Sequence, residues 1–254
     1  MDPSATEKYL HSLAEKWVFA KAIVVLTGAG VSAGSGVPTF SGSNGLLEDE
    51  AARKFITAEG YENDPVEAWR FYDLARRDIT ECQPNSGHIA LAQLQNSLPH
   101  LILATHNVDG LHQRAGSQRV LELSGSLWEL RCTEENKIFM NDDVPLKLIP
   151  PLCSCGTILR PNVVLFGETL LANPCNELYK VISLQNGILS LVGLSGINRS
   201  IRNLISHARF CGWRICEINI SETLLSPITD FRVIGRAAKI LPLLADYVKR
   251  ISNQ

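Results

Sequence analysis

The chain has 254 residues, 45% of them hydrophobic and 20% charged, with a formal net charge of −2 and a pI near 6.3. This is the balance of a soluble globular protein, long enough for one large α/β domain or for a domain with a small insert. It offers no basic field to hold a phosphate backbone, so nucleic acid is not an expected partner. No apolar run reaches the ~18 residues of a membrane span. The opening MDPSATEKYLHSLAEKW is amphipathic and carries acids, not the basic-then-apolar order of a secretory signal. Seven cysteines, an odd number, in a chain without such a signal predict reduced thiols and a cytoplasmic setting rather than a disulfide framework.

In chain order, the first strand signal is AIVVL (22–26), followed by a glycine-rich turn. Residues 42–64 read as a loop and small helical flap, and helical patterns follow at roughly 65–81 and 86–96. LILAT (101–105) and RVLEL (119–123) read as strands. Residues 127–162, with three of the seven cysteines and two adjacent prolines, read as a small inserted module. VVLF (163–166), ILSLVG (188–193) and WRICEI (213–218) complete the strand signals, with helical patterns at 198–210 and 235–250. The strand runs are short, rich in β-branched residues and bounded by Gly, Asn or Ser, as buried parallel strands are. Strands alternating with helices predict a Rossmann-like, doubly wound parallel sheet. The expected organisation is one domain over 1–254, with 1–41, 65–126 and 163–254 as its large part. The flap (42–64) and the module (127–162) are set into it. There is no internal repeat and no low-complexity tail.

The first strand runs into VVLTGAGVSAGSGVPTF, where Gly28, Gly30 and Ala33 fit G-x-G-x-x-G/A. Small residues let a pyrophosphate approach the backbone at a helix start. The same glycines also suit a tight turn with no ligand. A dehydrogenase needs a second strand ending in an acid about 20 residues on. Glu48, Asp49 and Glu50 lie near that distance, but GSGVPTFSGSNGL between them and the loop does not read as a strand. The loop therefore predicts NAD-like binding without a hydride-transfer architecture.

Five segments, GAGVSAGSGVPTF, THNVDGLHQRAG, LELSGSLWELRC, CSCGTILRPNVVLFGE and EINIS, resemble the sirtuin (Sir2) family. They stand in the sirtuin order and span nearly the whole chain. The resemblance implies a Rossmann-like domain with a small zinc-ribbon-like module, NAD and an acyl-lysine meeting in the cleft between them. Sirtuins cleave the nicotinamide–ribose bond. Most pass the ADP-ribosyl group to an acyl oxygen and so deacylate lysine, and some transfer it to protein side chains. By position, Gly28, Ala29, Gly30 and Ser32 would cradle the pyrophosphate and Phe40 would cap the nicotinamide side. Asn107 and Asp109 would sit in the nicotinamide pocket, Gly193 and Ser195 would meet a phosphate or ribose, Asn219 the adenine ribose and Ala237 the adenine.

The departures from the family pattern cluster at the chemistry. The family's His-Gly-Ser is Ser124-Gly125-Ser126 here. That histidine is the base that deprotonates a ribose hydroxyl after the first step, and losing a positioned base costs about 10²–10⁴ in rate. Phe40-Ser41 replaces Phe-Arg, His106 stands where glutamine is usual, and Gly193-Leu194-Ser195 replaces Gly-Thr-Ser. His106, beside Asn107, has the right chemistry for a relocated base. It equally fits a loop histidine bonded to backbone. His112 and His88 read as structural. Tyr72 is followed by Ala75, with Arg76 one place beyond the Tyr-x-x-Arg spacing, so selectivity for acidic acyl groups is not expected. The tryptophans (17, 69, 128 and 213) read as packing residues. Cys82, Cys175, Cys211 and Cys216 read as buried apolar residues.

The metal site is also altered. A ribbon needs four ligands. Cys153 and Cys155 form one pair, but Cys132 has Glu135 where its partner cysteine belongs. Three thiolates with a carboxylate from Glu135, Asp142 or Asp143 would complete a zinc site. The alternative is a metal-free module with three reduced thiols.

Three functions compete. Loss of the base should spare nicotinamide cleavage and harm the later steps, which favours ADP-ribosyl transfer to a protein or peptide acceptor, or NAD hydrolysis. A catalytically impaired protein that binds NAD or ADP-ribose is the second. A protein-lysine deacylase with a reassigned base is the third.

Overall fold

The computed structural model describes residues 3–39, 50–183, 187–194 and 199–253. Helix α1 (Pro3–Phe19) leads into β1 (Ala22–Thr27), whose six residues are all buried. Their alternation gives the sheet two dry faces. Ile23 and Val25 enter one core, and Ala22, Val24 and Leu26 enter the other.

The glycine loop opens into α2 (Ala29–Ser32). After α3 (Glu50–Phe55) and α4 (Ala58–Asn63) comes α5 (Pro65–Glu81), which begins on a proline at its first position. The Asp64 carboxylate accepts from the Glu67 amide, so the N-terminus is capped as well as pre-formed. Helix α6 (Ser86–Ser97) starts on a reciprocal cap: Asn85 accepts from the Gly87 amide, and His88 Nδ1 accepts from the Asn85 amide. Then follow β2 (Leu101–Thr105), α7 (Leu111–Arg114), β3 (Val120–Glu122), β4 (Gly125–Cys132), β5 (Lys137–Met140) and β6 (Arg160–Val163). The chain ends through α8 (Ala172–Ile182), β7 (Gly187–Val192), α9 (Arg199–Phe210), β8 (Arg214–Asn219), β9 (Phe231–Ile234) and α10 (Ala237–Ser252).

Six strands form one parallel sheet in the order β3-β2-β1-β7-β8-β9. The chain direction of the winding reverses between β1 and β7, which is where an open α/β sheet leaves a crevice at its carboxyl ends. Helices α1, α6 and α10 cover the face holding Trp17, Leu91 and Leu244, and α8 and α9 cover the face holding Leu178 and Leu204. Among the described residues no helix is long and apolar enough to cross a membrane.

The second sheet is small and antiparallel, in the order β5-β4-β6. It packs on α5 through Trp69, Tyr72, Leu127 and Leu130. Arg76, fully buried on α5, donates to the carbonyls of Leu127 (2.8 Å), Asn141 (2.7 Å) and Asp143 (3.0 Å). Its guanidinium also lies 5.0 Å from the centre of the Trp128 ring. The arginine near the acyl-selectivity spacing is therefore occupied in joining the two sheets, and the Tyr72 hydroxyl donates to the Phe55 carbonyl.

The expected helices at 65–81, 86–96, 198–210 and 235–250 are present, with ends within two residues. VVLF (163–166) is not a strand of the parallel sheet. Val163 closes β6, which pairs antiparallel with β4, and the Phe166 amide then bonds the Ile56 carbonyl. The run is apolar because it passes under the small sheet, where Val163 and Leu165 are core residues. Strand β9 and helix α8 are further elements that the apolar runs did not announce.

Candidate active site

The loop after β1 and the loop after β7 touch. The Gly28 amide donates to the Val192 carbonyl and the Gly30 amide to the Gly193 carbonyl, both at 3.0 Å. A Cβ on Gly30 would stand 2.8 Å from Gly193 Cα, and Gly193 itself has a φ of +63°. The glycines are therefore needed for backbone to meet backbone, whatever binds beyond. Their two amides are engaged within the fold, so neither is a free donor to a phosphate. Ala29 lies between them, at the start of α2.

Below this junction Ser32, Asn107 and Asp109 converge, all buried. Ser32 Oγ donates to Asp109 Oδ2 at 2.6 Å and accepts from Asn107 Nδ2 at 3.0 Å. His88 Nε2 lies 3.3 Å from the same oxygen. Because His88 Nδ1 accepts from the Asn85 amide, the neutral ring carries its proton on Nε2 and donates to Ser32. Burial holds His88 down at about 4, so the neutral form is the one present. Asp109 Oδ1 caps α7 by accepting from the Leu111 amide at 2.9 Å, and Trp128 Nε1 donates to the Asp109 carbonyl at 2.8 Å. The intervening Gly110, at φ +74°, has Trp128 so close that a Cβ would meet Nε1 at 2.8 Å. A second buried pair, Thr27 Oγ1 and His112 Nε2 at 2.9 Å, supports the floor.

His106 is not part of that network. Its Nδ1 lies 3.1 Å from Ser124 Oγ. The two positions that depart from the family pattern at the ribose side thus touch each other. Burial pushes the His106 ring down to about 4. A cavity of about 120 Å³ opens beside it, lined by Leu123, Cys175, Tyr179, Asn203 and Leu204.

Asn219 ends β8, with Nδ2 donating to the Leu194 carbonyl at 2.8 Å, and Ala237 is buried at the start of α10. Both lie on the carboxyl side of the sheet, with Gly193. Phe40, Ser41 and Ser195 lie outside the described residues.

Cys132, Cys153 and Cys155 come together with their sulfurs within 4.8 Å of one another. Glu135 is the acid beside them: its Oε2 accepts from Cys153 Sγ at 3.7 Å and its amide donates to Cys132 Sγ at 3.4 Å. The same Glu135 oxygen also pairs with Lys137 at 3.0 Å, and Asp143 pairs with Lys147 at 2.8 Å. Hydrogen bonding with the Thr157 side chain and backbone holds the Cys155 thiol down at about 7. Three thiols and one carboxylate are four donors of the kind zinc takes, so the set fits that ion. Of the other cysteines Cys216 is fully buried, but Cys82, Cys175 and Cys211 are only partly so, and Cys175 lines the cavity at His106.

One titratable group escaped the sequence reading. Glu122, on β3, is raised to about 7, chiefly by burial, against a hydrogen bond from Gln113 that lowers it. Its signal in the sequence was only an acid inside a strand run.

The Sir2 family model matches residues 28–198. NAD-dependent protein deacylase 2 of Pyrobaculum aerophilum is 41% identical over 228 residues, covering 89% of this chain and 91% of that protein. Two solved structures superpose closely. A Sir2 homologue–NAD complex has a TM-score of 0.87 at 34% identity, over 95% of this chain and 94% of that one. A mutant Sir2 homologue complexed with 2′-O-acetyl ADP ribose has a TM-score of 0.86 at 35% identity, over 96% and 98%. A parallel sheet with a crevice at its switch point, joined to a three-thiol module, defines the class. The chain belongs to the Sir2 family.

Proposed function

We propose that this chain is an NAD-dependent protein-lysine deacylase. It binds NAD as a cosubstrate, releases nicotinamide and passes the acyl group of a lysine side chain on a protein or peptide to ADP-ribose. The observation that carries this reading is the closed Ser32–Asn107–Asp109 cluster in the crevice. A cluster this fully bonded has fixed acceptors, and the Asp109 carboxylate and Asn107 amide oxygen suit the NH₂ group of a carboxamide. Breaking the glycosidic C–N bond builds positive charge on the ribose. Positioning and a nearby carboxylate favour that step without any proton transfer. The deacylase names of the relatives support the same reading over a binding protein without activity.

Cys132, Cys153, Cys155 and Glu135 would hold zinc, and the ion would cross-link the small module rather than react. Seven free cysteines suit a reducing, cytoplasmic setting.

One observation favours a second reading, ADP-ribosyl transfer or NAD hydrolysis: the serine at 124, where the family keeps a histidine. Nicotinamide release from NAD, measured with and without an acetyl-lysine peptide and beside Asn107→Ala, decides between them. Peptide-dependent release with matching deacylated peptide is expected, reduced at least 10²-fold in Asn107→Ala. Release that ignores the peptide would give the second reading instead, and no release above Asn107→Ala would end both.

A further inference from the structure

The deacylase reading leaves one step without its acceptor. After nicotinamide has gone, a ribose hydroxyl must lose a proton as its oxygen attacks the acyl-derived carbon. Ser124 alone is too weak a base for that at neutral pH. Its Oγ, however, lies 3.1 Å from His106 Nδ1. We infer that the two side chains replace the missing base as a relay, Ser124 carrying the proton and His106 Nδ1 accepting it. This inference rests on the deacylase reading.

The pair is held from both sides by the sheet. The His106 amide donates to the Thr27 carbonyl at 3.0 Å, extending β2 past its last paired residue. The Leu123 amide donates to the Thr105 carbonyl at 2.9 Å, and the Ser124 carbonyl accepts from the Val164 amide at 2.8 Å. Neither backbone can drift, so the contact belongs to the fold and not to two mobile side chains. Burial keeps the imidazole neutral. In the tautomer with its proton on Nε2, Nδ1 is free to accept from the Ser124 hydroxyl. Among the described residues, Cys175 and Tyr179 of α8 are the other titratable groups lining the cavity, and burial raises both, so they stay neutral as well. From α9 the cavity receives only the uncharged Ser200, Ile201, Asn203 and Leu204.

The step balances. The ribose O–H bond breaks, its electron pair forms the new C–O bond, and its proton passes to Ser124 Oγ. The proton Ser124 held passes to His106 Nδ1, leaving a serine hydroxyl and an imidazolium. When the C–N bond to lysine breaks, that proton is available to the departing nitrogen. The paired substitution then has a chemical logic: a histidine has moved from one strand end to its neighbour, and a hydroxyl fills the gap it left.

The test separates the two stages of the reaction in His106→Gln, Ser124→Ala, the double variant and the swap Ser124→His/His106→Gln. Peptide-dependent exchange of labelled nicotinamide into NAD reads the first stage, and acyl transfer to ADP-ribose reads the second. The relay predicts a fall of about 10²–10⁴ in acyl transfer for His106→Gln, with far less loss of exchange. It predicts a similar fall in Ser124→Ala, and a double variant no worse than His106→Gln, because the two act as one unit. The swap should recover acyl transfer and move the acid limb of its pH profile upward from that of the unaltered chain, since the acceptor is then a different histidine. Wild-type-like acyl transfer in His106→Gln, or equal losses of exchange and transfer, would overturn the relay while leaving the deacylase intact. A failure of the deacylase reading looks different: the unaltered chain then makes no acyl transfer at all. If the swap gains it, an installed base succeeds where the pair does not. If the swap lacks it too, there is no step to relay, and the inference falls in either case.

Discussion

The large parallel sheet and the small antiparallel sheet are secured by different physics. The large sheet is apolar on both faces, with Ile23 and Val25 in one core and Val24 and Leu26 in the other. It is held by the non-directional hydrophobic effect, under which volume-conserving swaps are tolerated. The small sheet is less completely covered. Its outer strand β5 is exposed at every residue, Ile138 and Met140 included. Beside its own apolar core against α5, it is fixed by a set of directional contacts: Arg76 reaching three carbonyls, Trp69 Nε1 donating to the Leu159 carbonyl at 2.6 Å, Asp73 accepting from the Leu146 amide at 2.7 Å, and the thiol cluster. A sheet held that way is precise in position but vulnerable to the loss of one group. The crevice residues lie on the carboxyl ends of the large sheet, and Trp128 of β4 reaches over to the Asp109 carbonyl. The small sheet therefore sets one wall of the site without providing its floor.

The sharpest way to break this contrast is to remove the metal that the thiols suit. Purified protein should carry one zinc per chain, and a strong chelator should expose 125–163 to protease while strands β1 and β7 of the large sheet stay protected. Structural zinc contributes about 10–16 kcal/mol in zinc-finger peptides, so this is the largest effect expected. Cys153→Ser should lower zinc content most, and Glu135→Gln less, since a carboxamide oxygen can still donate. Zinc-free protein with unchanged protease resistance would show that the thiols pack without a metal.

Next in size is Arg76→Ala. It strands three carbonyls that the guanidinium now satisfies and opens space beside Trp128. The expected cost is about 3–5 kcal/mol. Hydrogen exchange should rise first in β4 and β6, with the amides of β1 and β7 nearly unchanged. A uniform loss across both sheets would mean that they unfold as one unit and that the contrast is only geometric.

These contacts differ sharply in how far the sequence announces them. Helix α5 was legible as a helical pattern at roughly 65–81, and the structure supplies the reason for its start, with Asp64 capping it and Pro65 at its first position. The family resemblance put Asn107 and Asp109 in one pocket and Ser32 with the glycine loop, and it did not announce that Ser32 bonds both of them. Arg76 was not legible, since an arginine on an amphipathic helix reads as solvent-facing until the second sheet is placed over it. VVLF misled because an apolar run has no label for which sheet it serves. The His106–Ser124 contact could not be read from a separation of 18 residues. It exists only because β2 and β3 pair with Thr105 opposite Glu122, so that just past the paired ends His106 comes beside Leu123 and within reach of Ser124, one residue further on.

That same register places the smallest predicted effect inside the sturdier sheet. Glu122 is raised from the ordinary carboxylate value to about 7, first by burial and then by Glu129 and Asp109, against the hydrogen bond from Gln113. A carboxyl whose folded pKa lies above its unfolded one binds its proton more tightly in the native state. Its contribution is fully present below about 4.5 and is lost as pH rises through about 7. Glu122→Gln keeps the shape and carries no charge, so it should match the unaltered chain at pH 4.5 and exceed it above pH 7. The gap should be about 1–3 kcal/mol, after allowing for the part of the side chain that water reaches. Urea unfolding of both chains at pH 4.5, 6 and 8 measures it. A gap that stays constant across the three would mean that Glu122 is ionised throughout, and that the large sheet holds a charge its two apolar faces do not predict.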